Sequence, residues 1–134
     1  MKLTNRSEYA LLALVFLARN GKDGKYISSE TIAIAQGIPP KFLEQILLAL
    51  KGAKYLRSTK GQHGGYVLAR PANQISLAEV IRLFDGALAP TESVSKYYYE
   101  PTPIEKDSAL VNVFLDIRDY IANKLEQTTL ADVI

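Results

Sequence analysis

The chain has 134 residues and an apolar fraction of 48%, enough for one compact domain with a real core. It contains no cysteine, which excludes disulfides, thiolate metal sites and thiol catalysis by its own side chains and suits a reducing compartment. The net charge of +2 conceals a split: residues 1–70 carry eleven Lys/Arg against four Asp/Glu, and residues 71–134 carry five against ten. A basic half of that size points to a polyanionic partner.

Thr4 or Asn5 is expected to cap a first helix, with Glu8 spaced for a capping box from Asn5. From Tyr9 to Ala18 nearly every residue is apolar, so this helix has no solvent face. In so small a chain a second copy is expected to cover one side of it, Leu12 included. The run Ala10–Ala18 is too short to span a bilayer. The polar Arg19-Asn20-Gly21 that follows lacks a signal-peptide cleavage pattern, so the expected location is the cytoplasm, with no membrane partner. Gly21 and Gly24 end the helix in a loop.

Ser28 or Ser29 caps a short second helix with an apolar face of Ile32, Ala35 and Ile38, and Gly37 supplies its left-handed exit. Pro39-Pro40 ends that helix and opens the next, because the first helical turn does not need the N–H that proline lacks. Leu43, Ile46, Leu47 and Leu50 then form an inward stripe, with Lys41, Glu44, Gln45 and Lys51 off it. Gly52 closes the helix, and Ala53 and Leu56 pack beneath it. Two short strands follow, Tyr55–Thr59 and Tyr66–Ala69. The tip between them, Lys60-Gly61-Gln62-His63-Gly64-Gly65, has the glycines that a hairpin turn requires.

Ser76-Leu77-Ala78-Glu79 is a capping box for a fourth helix reaching Phe84, with Val80, Ile81, Leu83 and Phe84 inward. Ala87–Pro103 shows no period but includes Tyr97-Tyr98-Tyr99, and its aromatic content marks it as an ordered loop. Asp107 or Ser108 caps a long helix to about Glu126. Its Leu110, Val113, Phe114, Ile117, Ile121 and Leu125 recur at steps of three and four, as a packing seam requires. Thr129 to Asp132 caps a last short turn.

Helix, turn, helix and basic glycine hairpin, in that order, lay out a winged helix-turn-helix. The expected fold is mainly α with a small β-hairpin wing. Residues 1–86 are expected to form the DNA-binding domain, with residues 87–134 a separate loop and long helix. In that layout Pro39, Pro40, Lys41 and Phe42 open the recognition helix, with Glu44, Gln45 and Leu48 one turn on. Gln45 suits adenine, Glu44 the cytosine amino group and Phe42 a thymine methyl. Lys41, Ser28 and Ser29 are placed for phosphates, while Arg57, Thr59 and Lys60 bring the wing to the backbone or the minor groove. An exposed ion pair of Glu44 with Lys41 or Lys51 is the competing use of that carboxylate.

The enzyme class finds no support. His63 is the sole histidine and, without cysteine, makes a poor metal site. The glycine tip lacks the Lys-Ser/Thr of a phosphate loop. The alternative to a DNA-binding regulator is a protein-interaction module on a winged-helix scaffold acting through a partner, which would not need the basic half.

Asn5–Leu12 (NRSEYALL), Phe42–Leu47 (FLEQIL), Gly64–Leu68 (GGYVL), Ser76–Val80 (SLAEV) and Thr128–Val133 (TTLADV) together resemble the Rrf2 (Rrf-two) family of bacterial transcriptional regulators. The resemblance covers nearly the whole chain. It implies a winged-helix homodimer, most often a repressor, on a palindromic double-stranded operator. Residues 87–134 would then be a sensor-type loop and a dimerisation helix, the long helix near Ser108–Glu126 being the dimer seam. DNA contacts would fall at Ser28, Pro39, Lys41, Phe42, Glu44, Gln45 and Lys60. Cluster-binding members of the family carry three cysteines in the loop that is here Ala87–Asp107. This chain has none, so it looks like the clusterless branch, which needs no cofactor and whose signal arrives through a partner protein. Tyr97, Tyr98 and Tyr99 lie in that loop. They either pack it onto the long helix or offer a surface to a regulatory partner or a small-molecule effector.

Overall fold

The computed structural model describes residues 1–134. Helix α1 spans Asn5–Asn20. Its cap is Thr4, whose Oγ1 accepts from the Ser7 N–H at 3.3 Å. Asn5 is already helical, so the expected Asn5–Glu8 box does not form. Ala10, Ala13, Leu14, Leu17 and Ala18 bury one face of α1 in the main core. Leu12, on the side expected to meet a second copy, is 41% exposed, and Tyr9, Leu11, Val15 and Phe16 are half-buried.

Helix α2, Ser29–Gln36, is capped by Ser28, which accepts from the Thr31 N–H at 3.1 Å, and it exits through Gly37 at φ 65° and ψ 36°. Its buried pair is Ile32 and Ala33, while Ala35 is exposed. Ile32 and Ile38 of the expected face are buried, Ala33 is buried in place of Ala35, and Gln36 donates from Nε2 to the Leu12 carbonyl at 2.8 Å near the surface. Helix α3, Pro40–Gly52, buries Leu43, Ile46, Leu47 and Leu50 as the periodicity requires. Each such side chain contributes roughly 1.5–3 kcal/mol of transfer free energy, which makes α3 a rigid mount.

Strands β1 (Leu56–Thr59) and β2 (Gly65–Leu68) pair antiparallel with Arg57 opposite Val67 and Thr59 opposite Gly65. β1 starts one residue later than expected and β2 is shifted by one toward the tip, although at the base the Ala69 N–H still donates to the Tyr55 carbonyl at 2.9 Å. Ile27 bridges to Tyr66 on the far side of β2 and forms a one-residue third strand.

Helix α4, Leu77–Asp85, has the expected box: Glu79 N–H donates to Ser76 Oγ at 3.2 Å, and Ser76 N–H donates to Glu79 Oε2 at 2.9 Å. Val80 and Ile81 are buried, but Leu83 is 41% exposed and Ala78 takes the inward place expected of it. Glu79 also meets Arg70 at 3.3 Å, and the Arg70 guanidinium stacks over the Tyr55 ring at 4.3 Å. This cluster fastens the wing base to α4. Burial raises the Glu79 carboxyl, but the Ser76 N–H and hydroxyl and then Arg70 outweigh it and hold the group below its ordinary value.

The loop after α4 makes 3₁₀ turns at Glu92–Val94 and Pro103–Lys106. Helix α5, Ser108–Gln127, is capped by Asp107 and buries only Ala122. Ile121 and Leu125 pack with Ala78, Ile81 and Leu88 in a small second core against α4. The chain then returns: Leu77 N–H donates to the Thr128 carbonyl at 2.9 Å and Leu130 N–H to the Ile75 carbonyl at 3.0 Å. A Thr129–Asp132 box shapes the last turn, and Leu130 is fully buried in the main core. No helix is long and apolar enough to cross a membrane.

Candidate nucleic-acid interface

The inward stripe of α3 dictates what its other side presents. With Leu43, Ile46, Leu47 and Leu50 buried, Pro40, Lys41, Glu44, Gln45 and Leu48 are exposed on the opposite face, and Pro39 is exposed just before it. Leu48 is 62% exposed. That is unfavourable for leucine in water and suits a surface that is later covered. Phe42 is half-buried, edge-on to Tyr9 with centroids 5.5 Å apart and planes at 76°. Its ring therefore anchors α3 to α1, a packing role that its spacing did not disclose.

Beside this face lies a cleft of about 400 Å³ between α2, α3 and the wing. It gathers Ser28 and Ser29 from the start of α2, Leu48 from α3, and Thr59 and Lys60 from β1 and the tip. Five of the residues singled out in the sequence thus meet in one place. Lys51, Ser58 and Tyr66 also line it and were missed as site residues. The available signal for Lys51 was its position one turn beyond Leu48 on the same helix face. The start of α2 at the cleft edge adds the positive end of a helix dipole, which favours an anion.

Arg57 lies elsewhere. With Arg70 it borders two neighbouring grooves, one of which shares Lys51 and Ser58 with the cleft that holds Lys60. The ion pairs of the chain are Arg70–Glu79, Arg82–Glu126 and Arg118–Asp119. Glu44 therefore pairs with neither Lys41 nor Lys51, and the cations of the α3 face and cleft are free. His63 is exposed at the wing tip.

In α5 the single expected seam divides in two. Leu110, Val113, Ile117 and Tyr120 are exposed along one side, while Phe114 is half-buried and Ile121 and Leu125 turn toward α4. Leu12 is exposed on α1. In the loop, Val94 and Ser95 are buried, and Arg118 of α5 donates from Nη1 to the Val94 carbonyl at 3.1 Å. Tyr97 and Tyr98 border a small pocket with Arg118 and Ala122 of α5, so they touch the long helix while remaining partly open to solvent. Tyr97, Tyr98 and Tyr99 are 62%, 47% and 56% exposed, with Arg82 stacked over Tyr97 at 5.0 Å. Val94 and Ser95 are the buried residues of this contact, and the tyrosines keep about half of their surface exposed beside it.

Three packed helices, the third carrying a free polar face, and a hairpin set beside it define a winged helix-turn-helix. The profile of the Rrf2 family, described as an iron-dependent transcriptional regulator, matches residues 3–134, and the chain belongs to that family of transcriptional regulators. It is 40% identical over 136 residues to a Mycobacterium tuberculosis protein designated an HTH-type transcriptional regulator, covering 99% of this chain and 81% of that one. Among solved structures it is similar to CymR, described as the global cysteine regulator of B. subtilis. That match has a TM-score of 0.79 at 26% identity and covers 99% of this chain and 95% of the other. It is also similar to T. potens IscR, with a TM-score of 0.76 at 26% identity, covering 99% and 85%.

The family description implies iron. The residues present do not fit a cysteine-ligated centre, since the chain has no cysteine. Nor does any group of three or more His, Asp or Glu stand together where a metal ion could be shared.

Proposed function

We propose that this chain is a homodimeric, sequence-specific DNA-binding regulator, acting as a repressor on a palindromic operator without an iron–sulfur cluster. The observation that carries the reading is the cleft where the α2 start, the exposed α3 face and the wing converge with unpaired Lys51 and Lys60. Pro39, Pro40, Lys41, Glu44 and Gln45 enter the major groove, and Gln45 and Glu44 read base edges. Ser28, Ser29, Lys41 and Lys51 hold phosphates, and Thr59 and Lys60 carry the wing to the adjoining backbone.

The exposed stripe Leu110, Val113, Ile117 and Tyr120 of α5 is the dimer seam, with Phe114 at its margin and the exposed Leu12 of α1 as a further contact. Residues 1–86 read DNA in the cytoplasm, and residues 87–134 join the copies and receive the signal. The exposed Tyr97–Tyr99 surface takes a regulatory partner protein or a small-molecule effector, because tyrosine exposes large contact area at low entropic cost. Gel-shift titration against genomic fragments at two salt concentrations tests this. A saturable, fragment-selective and salt-sensitive complex is expected, and uniform, salt-insensitive binding would overturn it.

A further inference from the structure

The cations of the basic half do not stop at the α3–wing cleft. Lys51 and Ser58 also line a second groove, of about 580 Å³, together with Tyr26, Lys54, Arg57 and Arg70. Arg57 and Arg70 in turn border a third groove, of about 420 Å³, that includes Lys22. Basic side chains therefore run unbroken from Lys60 through Lys51, Lys54 and Arg57 to Lys22, and no Asp or Glu lines any of the three grooves. Arg70 alone on this track has an ion-pair partner, Glu79. Asp23 adjoins Lys22 in sequence but pairs with no cation.

Such a row repels itself in the free protein, so its natural complement is a linear polyanion. Lys54 holds its place in the left-handed backbone region, at φ 68°, a conformation that a side chain bearing Cβ adopts at a cost. The strand beside the track is β1, whose outer edge is unpaired because Ile27 joins the sheet on the β2 side.

We infer that this track carries the phosphate backbone of DNA flanking the operator, so that the bound duplex follows the outer edge of the wing beyond the half-site under α3. The inference rests on the DNA-binding reading above. Continuity through Lys51 with the α3–wing cleft favours DNA over an acidic protein, since one duplex can span both the cleft and the grooves that adjoin it. The bending cost is offset by the added phosphate interactions.

The experiment compares two duplexes taken from a binding-site selection, by fluorescence anisotropy over a salt series. One is the minimal footprinted operator. The other extends it by about one helical turn, ~10 bp, at each end. The long duplex should bind about threefold to tenfold more tightly, its salt slope steeper by about 0.9 per additional phosphate neutralised. The Lys22→Gln/Lys54→Gln protein should lose that gain and keep wild-type affinity for the minimal duplex. Lys22→Arg/Lys54→Arg should retain the gain. Equal affinity and slope of the wild type on both duplexes would overturn the inference and leave the operator reading standing. A gain that survives in the Gln variant, or an equal loss on both duplexes, would also overturn it. Wild-type protein that prefers no duplex would overturn the operator reading as well.

Discussion

Ile27 and Tyr66 exchange both of their backbone hydrogen bonds, at 2.9 and 2.8 Å. The residue that makes this exchange stands immediately before Ser28, the cap of α2. The wing is therefore hinged on the same stretch of chain that starts the helix-turn-helix, and the cleft between them has a fixed width. Gly65 makes the approach possible. A Cβ there would lie 2.2 Å from the Ile27 carbonyl oxygen, and its φ is 156°.

Gly65→Ala should therefore push the wing off Ile27. A loss of about 1–3 kcal/mol in urea unfolding is expected, in the range of an overpacked site. DNA affinity should fall with it, because Lys60 moves relative to α3. Unchanged stability would contradict the role given to this close approach.

Lys60→Ala should weaken binding across all sequences and lower the salt slope by about one for each phosphate no longer neutralised. Gln45→Ala should act differently, relaxing the preference for one base by about 1–3 kcal/mol with little change in slope. Anisotropy titrations over a salt series, with a panel of single-base operator variants, separate the two.

Much of this is legible from residue patterns. The Leu43–Leu50 stripe, the Ser76–Glu79 box, the Gly37 exit and the glycine tip are local devices, and local devices can be read from spacing. What escapes depends on tertiary neighbours. Ala33 is buried in place of Ala35 because α1 and α3 pack against α2 on that side. Phe42 goes to packing because Tyr9 stands opposite it on another helix. The α5 seam splits because α4 takes Ile121 and Leu125, which a periodicity count cannot assign to one neighbour or another. Lys51 falls off the stripe, and only the placement of the wing shows that it faces the cleft.

The stripe on α5 predicts the assembly. Val113→Asp or Ile117→Asp places a charge in the middle of the exposed apolar side, and sedimentation should then report monomer where the wild type reports dimer. Operator affinity should drop by about 100-fold or more, since two linked half-sites become one. A variant that stays dimeric would move the seam elsewhere.

The Ser76–Glu79 box predicts a pH effect. The folded-state value of the Glu79 carboxyl is depressed, so its contribution is fully present above the ordinary carboxylate value of about 4. It is lost as pH falls through the lower folded value. Glu79→Gln should accordingly be less stable than wild type near neutral pH, and the difference should shrink under acid. Ser76→Ala should cost about 1 kcal/mol at neutral pH through removal of the cap. Chemical unfolding at a series of pH values checks both.

Binding-site selection from a random duplex pool with the wild-type protein tests the central claim most directly. The predicted outcome is a palindrome with half-site centres about one helical turn apart, roughly 34–36 Å, bound with steep salt dependence. Recovery of a pool without sequence enrichment would contradict the assignment of α3 and the wing as a reading surface.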